Sequence, residues 1–472
     1  MKIIFCSILF IAALYGQWPP AVNLGIPGTD DINPQSCRMQ SFHICLVWQT
    51  QINGNWDIFS RYIINNTTWS DTVRVTTALS ADCNPSVAYD PNRNCFWCVW
   101  QNDNGGFWNI LVSQGSVTGQ WTPPVLLTSD TFPDVSPTVC VIGSNVWVAW
   151  QRDTAGQATN IYSKFYNGSS WSSSARVTNS ADSSNTNPKI NLRVDHPFLV
   201  WERNRDIYYS EYVSSSWTAP QAITTNAASD SLPEIACAQP ASPGVWVYWQ
   251  SNRDGNWEIY RTGLDTFSVN HRVSFSDAQD IEPSPISGTV PIRWPPEALL
   301  MAASSNRNGN YDVINKFFWS DSLYMVDTNH AQDIHPVTTA DFHVFIWILW
   351  QTDRNVDWDI YGSFYLAGGV TEGDLKSDPV FFRVFPNPFR ERIVFKLNPG
   401  KAQSAERRVL EIYDISGRLV KFFSLPSALS PNPSSLTWGG EDALGRAVPP
   451  GVYFVRTDAG SRTTQEKIVR LR

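Results

Sequence analysis

Hydrophobic and polar positions along this 472-residue chain fall into one phrase that returns seven times. Each copy opens on Asp-x-x-Pro, runs through an apolar stretch ending in Trp-Gln, and turns through a Gly/Asn/Asp/Arg cluster. An alternating strand such as Trp257-Glu258-Ile259-Tyr260 follows. Asp31, Asp82, Asp134, Asp230, Asp280 and Asp333 open six copies, each with Pro three residues on, and Asn185 with Pro188 is the variant. The apolar runs end at Trp48, Trp100, Trp150, Trp249 and Trp350, each followed by Gln. Trp201 precedes Glu202, and Ala303-Ser304 fills the slot in the sixth copy. Successive slots lie between 47 and 54 residues apart. A fourth strand follows a further aromatic, as at Trp69, Trp121, Trp171 and Trp217, with Phe267 and Trp319 in the later copies. Four short strands at this period predict propeller blades.

The ends of the array predict how the ring closes. The seventh copy lacks a fourth strand after Asp359-Ile360-Tyr361, and Gln17-Trp18-Pro19-Pro20-Ala21-Val22 matches Gln120-Trp121-Thr122-Pro123-Pro124-Val125. Residues 18–25 are therefore expected to pair as the outer strand of the last blade, removing an open end. The expected fold class is all-β: a seven-bladed β-propeller closed by an N-terminal strand, followed by a small Ig-like β-sandwich. The expected organisation is a signal peptide over 1–16, the propeller over 17–368, a linker over 369–379 and a C-terminal domain over 380–472.

Composition narrows the setting. Charged residues make up 17% and aromatics 13%, which places the chain among folded, strand-rich proteins. Lys2, the apolar stretch from Ile3 to Leu14 and Gly16-Gln17 have the form of a secretory signal. No later segment has the roughly 20 apolar residues of a membrane-spanning helix. Residues 380–472 hold 15 Lys and Arg against 8 Asp and Glu, whereas the remainder holds 20 against 35, so the two parts differ in sign. An acidic repeat region argues against nucleic acid as a partner. Without Cys6, seven cysteines remain, an odd number that leaves at least one free, so a disulfide scaffold is not implied. Cys95 and Cys98, three apart in an expected strand, point to opposite faces and read as buried structural thiols rather than a redox or zinc pair.

The phrase running from Trp249 to Tyr260, with Asp230-Ser231-Leu232-Pro233 upstream, resembles the TolB-type propeller repeat. That resemblance implies a protein-binding surface rather than chemistry. This chain departs from it in the Trp-Gln strand end and lacks most Ser-Pro-Asp-Gly hairpins. The last ninety residues carry Asn387-Pro388-Phe389, Ile412-Tyr413-Asp414-Ile415-Ser416-Gly417 and Pro450-Gly451-Val452-Tyr453. They are similar to the Ig-like C-terminal sorting domains of type IX (Por) secretion cargo and to the hook-capping-protein Ig domain. The resemblance implies export across the outer membrane and contact with the secretion machinery through 380–472. Gly439 departs from the Asp or Asn usual between Trp and Gly.

Candidate chemistry is sparse. No Gly-x-Ser-x-Gly, His-Glu-x-x-His or phosphate-binding Gly loop occurs. His330 and His335 share one expected turn without a third ligand. The Asp-x-x-Pro turns and the Asn-Arg-Asp-Gly-Asn loops should emerge on one face. Their residues either build turns, with each Arg bridging to the Asp of its own blade, or form a ring of carboxylates at the channel mouth. In the second reading Asp31, Asp82, Asp134, Asp230, Asp280 and Asp333 hold a cation or polar ligand. No cofactor is indicated, calcium being the cation such a ring would suit. Ile286 to Pro296 swells one loop and breaks the symmetry. Two functions follow: a secreted or cell-surface noncatalytic protein that binds extracellular protein or polysaccharide, or an exported glycoside hydrolase or polysaccharide lyase with an acidic mouth.

Overall fold

Alternation explains why the Trp-ending runs are apolar throughout. In the strand Ile44–Ile52, Ile44, Leu46 and Trp48 pack on one side with Trp347, Leu349 and Ile360. Cys45 and Val47 pack on the other with Val87, Phe96 and Cys98. A strand buried on both faces needs no polar face, so the period-2 signal gives way to a continuous apolar run.

The structure is a computed structural model that describes residues 18–471 except 40–43, 66–67, 130, 155–156, 194, 238–244, 264–268, 287–299, 318–322, 341–344, 367–381, 386–388, 398–408, 415–418, 425–434, 443–444 and 459–462. The expected signal peptide and linker, and most of the swollen loop at 286–296, lie outside the described residues. Among those described there is no helix. The chain divides into two units, Met1–Gly369 and Val370–Arg472.

The first unit contains seven antiparallel sheets of four or five strands, six of them in sequence order from an inner to an outer strand. Their first strands, Asp31–Arg38, Asp82–Asp90, Asp134–Ile142, Asn185–Arg193, Asp230–Cys237, Asp280–Pro285 and Asp333–Ala340, touch one another in a closed cycle. Outer strands are often only two residues long, as at Val125–Leu126 and Ala175–Arg176, which leaves little free edge for pairing with another chain.

The seventh sheet takes its outer strand from the start of the chain. Val22 and Asn23 pair with Gly362 and Tyr361, and the Leu24 amide donates to the Ile360 carbonyl at 2.7 Å. The second sheet makes the same contact within itself, Leu127 N to Ile110 O at 2.8 Å. Trp18 copies its counterparts as well. The Trp121 and Trp217 indoles donate to Ser60 and Ser163 on the preceding sheet at 3.0 and 2.9 Å, and Trp18 donates to Asn315 at 2.7 Å.

The Asp-x-x-Pro segment differs from its expected place. It is not a turn before the first strand but a β-bulge inside it: Asp31 begins its strand, and the register shifts between Ile32 and Gln35. The same shift recurs in the other six sheets. Pro has no N–H for the ladder, and a bulge is where a strand tolerates it.

The second unit has two sheets. One orders Phe382–Phe385, Ile393–Leu397 and Ser435–Trp438; the other orders Leu419–Ser424, Val409–Asp414, Gly451–Asp458 and Thr463–Arg470. Phe395 and Trp438 from the first join Leu410, Ile412, Tyr453, Val455 and Ile468 from the second in one core. Two sheets closing over a shared core make a β-sandwich.

Removing residues 17–26 takes away both the closing strand and the buried Trp18, and the melting temperature of the first unit is expected to fall markedly. Trp18→Ala alone should cost about 3–5 kcal/mol in chemical denaturation. An unchanged melting curve for the deletion contradicts this closure.

Candidate functional site

The seven bulges surround a central cavity of about 470 Å³. Its lining includes the bulge residue and Pro of every sheet, from Asn33-Pro34 round to His335-Pro336. The six aspartates expected at the mouth are not among the lining residues. Each is at most 1% exposed. Asp31, Asp82 and Asp134 accept the indole N–H of Trp48, Trp100 and Trp150 at 3.0, 2.7 and 2.8 Å. Arg152, Arg253, Arg307 and Arg354 pair with Asp134, Asp230, Asp280 and Asp333 of their own sheets at 2.7 to 3.1 Å. These carboxylates lie inside the sheets because they begin the inner strand, one bulge away from the axis.

What reaches the axis is the residue before each Pro. Asn33, Asn84, Ser136, Asn187, Leu232, Glu282 and His335 all have positive φ, between 51° and 58°. Of the five residue types here, only Asn and Ser are common turn formers, so tertiary contacts must hold the rest there. The contact is the same around the ring. The side-chain oxygen of the residue after Trp accepts the N–H of the bulge residue in the next sheet. Gln49 takes Asn84 at 2.8 Å, Gln101 takes Ser136 at 2.9 Å and Gln151 takes Asn187 at 3.0 Å. Glu202 takes Leu232 at 2.7 Å, Gln250 takes Glu282 at 3.0 Å, and Gln351 closes the circle on Asn33 at 2.9 Å.

The sixth sheet has Ser304 in place of Gln, too short to cross. Glu282 takes over: its Oε2 accepts the His335 N–H at 2.8 Å and the Ser304 hydroxyl at 2.8 Å, and its Oε1 meets His335 Nδ1 at 2.9 Å. Burial would raise this carboxyl, but the His335 contacts and Ser304 outweigh it and hold it below the usual range. The lining is thus amide-rich along the arc from Asn33 to Asn187 and carries an imidazole–carboxylate pair on the opposite arc. Lys189 also lines the cavity and is tied to Glu234 at 2.6 Å.

The seam between the seventh and first sheets stands apart electrostatically. Asp31 faces Asp359, and among the described residues no cation pairs with either. Elsewhere Asp57 beside Asp82 is met by Arg74 at 2.6 Å, Asp230 beside Asp206 by Arg253 at 3.0 Å, and the seam between the third and fourth sheets sets Asn160 against Asn185. Burial pushes Asp31 up to about 6, against hydrogen bonds from Thr50, the Ile26 amide and Trp48, with the Asp359 charge adding to the rise. Asp359 Oδ1 is buried without a partner. In the first, third, fourth and fifth sheets a Thr or Ser hydroxyl fills that place, as Thr178 does for Asn160 at 2.9 Å. Here the residue is Gly25, where a Cβ would collide with Asp31 Oδ2.

Cys95 and Cys98 pack at opposite seams of their sheet, as their spacing predicts, with Cys98 buried and Cys95 half-buried. All seven described cysteines are free thiols.

With this geometry in view, residues 383–470 match the family model described as the secretion system C-terminal sorting domain. The second unit is a type IX secretion sorting domain. No curated protein matches the chain. Among solved structures, similar chains include a protein of unknown function from Dyadobacter fermentans, at 10% identity over 73% of this chain and 99% of that one, with a TM-score of 0.46. Oligogalacturonate lyase in complex with manganese matches at 11% identity over 74% and 94%, with a TM-score of 0.50. Trypanosoma rangeli sialidase matches at 10% over 96% and 88%, with a TM-score of 0.44. The likeness to the lyase is one of fold, and that fold is β-propeller-like. The sorting domain marks the chain for export to the cell surface or beyond.

Two outcomes follow. Glu282→Ala, which frees the His335 amide and the Ser304 hydroxyl, should destabilise by about 1–3 kcal/mol, and Glu282→Gln by less, in denaturant titrations. The Asp31 carboxyl binds its proton more tightly folded than unfolded, so its favourable contribution is complete in acid and is lost as pH rises through about 6. The melting temperature of Asp31→Asn relative to wild type should therefore rise between pH 5 and pH 7.5, measured by calorimetry; a flat difference contradicts it.

Proposed function

We propose that the chain is an exported, noncatalytic binding protein: a seven-bladed propeller that takes an extracellular protein or polysaccharide at its axial cavity, delivered by the sorting domain. The observation that carries this reading is the commitment of the chemistry-bearing groups. The repeated carboxylates are buried and bonded to Trp, Thr, Asn or Arg, and the ionisable pairs of the lining, Glu282 with His335 and Glu234 with Lys189, are joined to each other. An acidic glycosidase site needs two carboxyl groups free to trade a proton and face a sugar. Among the described lining residues no such pair stands free. The amide-rich arc, by contrast, offers hydrogen-bonding groups around a cavity in the size range of ligand sites.

The TolB-type resemblance of the repeat favours a protein ligand, and the β-propeller-like fold shared with a carbohydrate-active lyase favours a saccharide; the ring chemistry suits both. An exported hydrolase or lyase is the competing reading.

A glycan array and an extracellular-protein panel, each run beside a reducing-end assay on a polysaccharide panel, decide between them. Saturable binding without released ends is expected, and binding should be lost in Gln35→Trp, which fills the cavity, at an unchanged melting temperature. Release of reducing ends by the wild type contradicts the noncatalytic reading. Cells producing the chain without residues 380–472 should retain it, as read by fractionation.

A further inference from the structure

We infer that Cys37 and Cys45 are a disulfide site, closed once the chain has left the cytoplasm. The two residues are direct cross-strand partners in the first sheet, Cys37 on Asp31–Arg38 opposite Cys45 on Ile44–Ile52. Residues directly opposed in an antiparallel pair have Cα atoms roughly 4.5–5.5 Å apart and side chains on the same face. A disulfide needs a Cα separation of about 4.4–6.8 Å, so this one closes by side-chain rotation without moving the backbone. Both side chains belong to the packing at the seam with the second sheet.

The two thiols are unequal in a way that orders the reaction. Cys37 is half-buried and Cys45 is fully buried. Burial, with the Cys37 thiol beside it, pushes the Cys45 thiol well above its ordinary range. Cys37 therefore meets the oxidant, a low-molecular-weight or protein disulfide. Its thiolate attacks one sulfur of that disulfide, forming a mixed disulfide and expelling one thiolate, which takes up a proton. Cys45 then gives up its proton and attacks the Cys37 sulfur, expelling the second thiol. Two cysteines are oxidised and one disulfide is reduced to two thiols.

Cys98 lies in the same seam but on the neighbouring sheet, so it is not a cross-strand partner of either. The sorting domain supplies the setting, since cargo leaving the cytoplasm escapes the reducing thiol pool. Among the described residues no other two cysteines are paired in a strand register.

The full chain is equilibrated with oxidised and reduced glutathione, unfolded in the presence of the alkylating agent and cut with trypsin. Arg38 lies between the two cysteines, so cleavage after it leaves their peptides joined only by the disulfide. The expected result is one linked pair, two hydrogen atoms lighter than the sum of its peptides, that separates on reduction. It should be absent from Cys37→Ser and retained in Cys83→Ser. Reduction should lower the melting temperature by about 4 °C, as expected for so short a loop in a large domain. Recovery of both residues as alkylated thiols from the oxidised wild type overturns the inference. So does a Cys98 peptide linked to either one.

Discussion

One hydrogen bond, made seven times, sets the geometry of the ring. It runs from the N–H of a residue held at positive φ to a side-chain oxygen of the sheet before it. A bulge that accommodates Pro leaves that N–H pointing away from its own ladder, and a buried donor without a partner is costly. The residue after Trp supplies the acceptor because strand neighbours face opposite ways. Trp48 turns back toward the seventh sheet and the Asp of its own sheet, while Gln49 turns forward to Asn84. Each sheet is thus pinned to the next by a bond that neither could make alone.

The sixth seam shows that the bond is a requirement rather than a habit of the repeat. Where Gln gives way to Ser304, the acceptor does not vanish. It moves to Glu282, a position that elsewhere holds Asn, Ser, Leu or His. His335 Nδ1 then meets the carboxylate so introduced. Breaking the symmetry at that one point also gives the cavity its only imidazole–carboxylate pair among the described residues, a feature a ligand could distinguish from the amide arc.

The architecture was largely legible before the structure: the period, the four strands and the strand borrowed from the N-terminus rest on local pattern, and Trp18 matched Trp121 residue for residue. The arginine-to-aspartate bridges of four sheets were legible too. The site was not. Asp-x-x-Pro has the composition of a turn, and only the ladder register reveals a bulge that turns the carboxylate inward and the third residue outward. The Trp-Gln pair recurs conspicuously, but the partner of each Gln lies in the following copy, where the contact is with the backbone and leaves no residue signature. The one signal available was the coincidence of Ser304 with a Glu at position 282. The twin carboxylates at the closing seam were hidden for the same reason, since Asp31 and Asp359 stand at opposite ends of the repeat array.

Amide hydrogen exchange at the seven bulge residues tests the ring bond most directly. Protection of Asn33, Asn84, Ser136, Asn187, Leu232, Glu282 and His335 should equal that of neighbouring ladder amides, and Gln101→Leu should release Ser136 while the other six stay slow. Rapid exchange of these amides in the wild type would contradict the account.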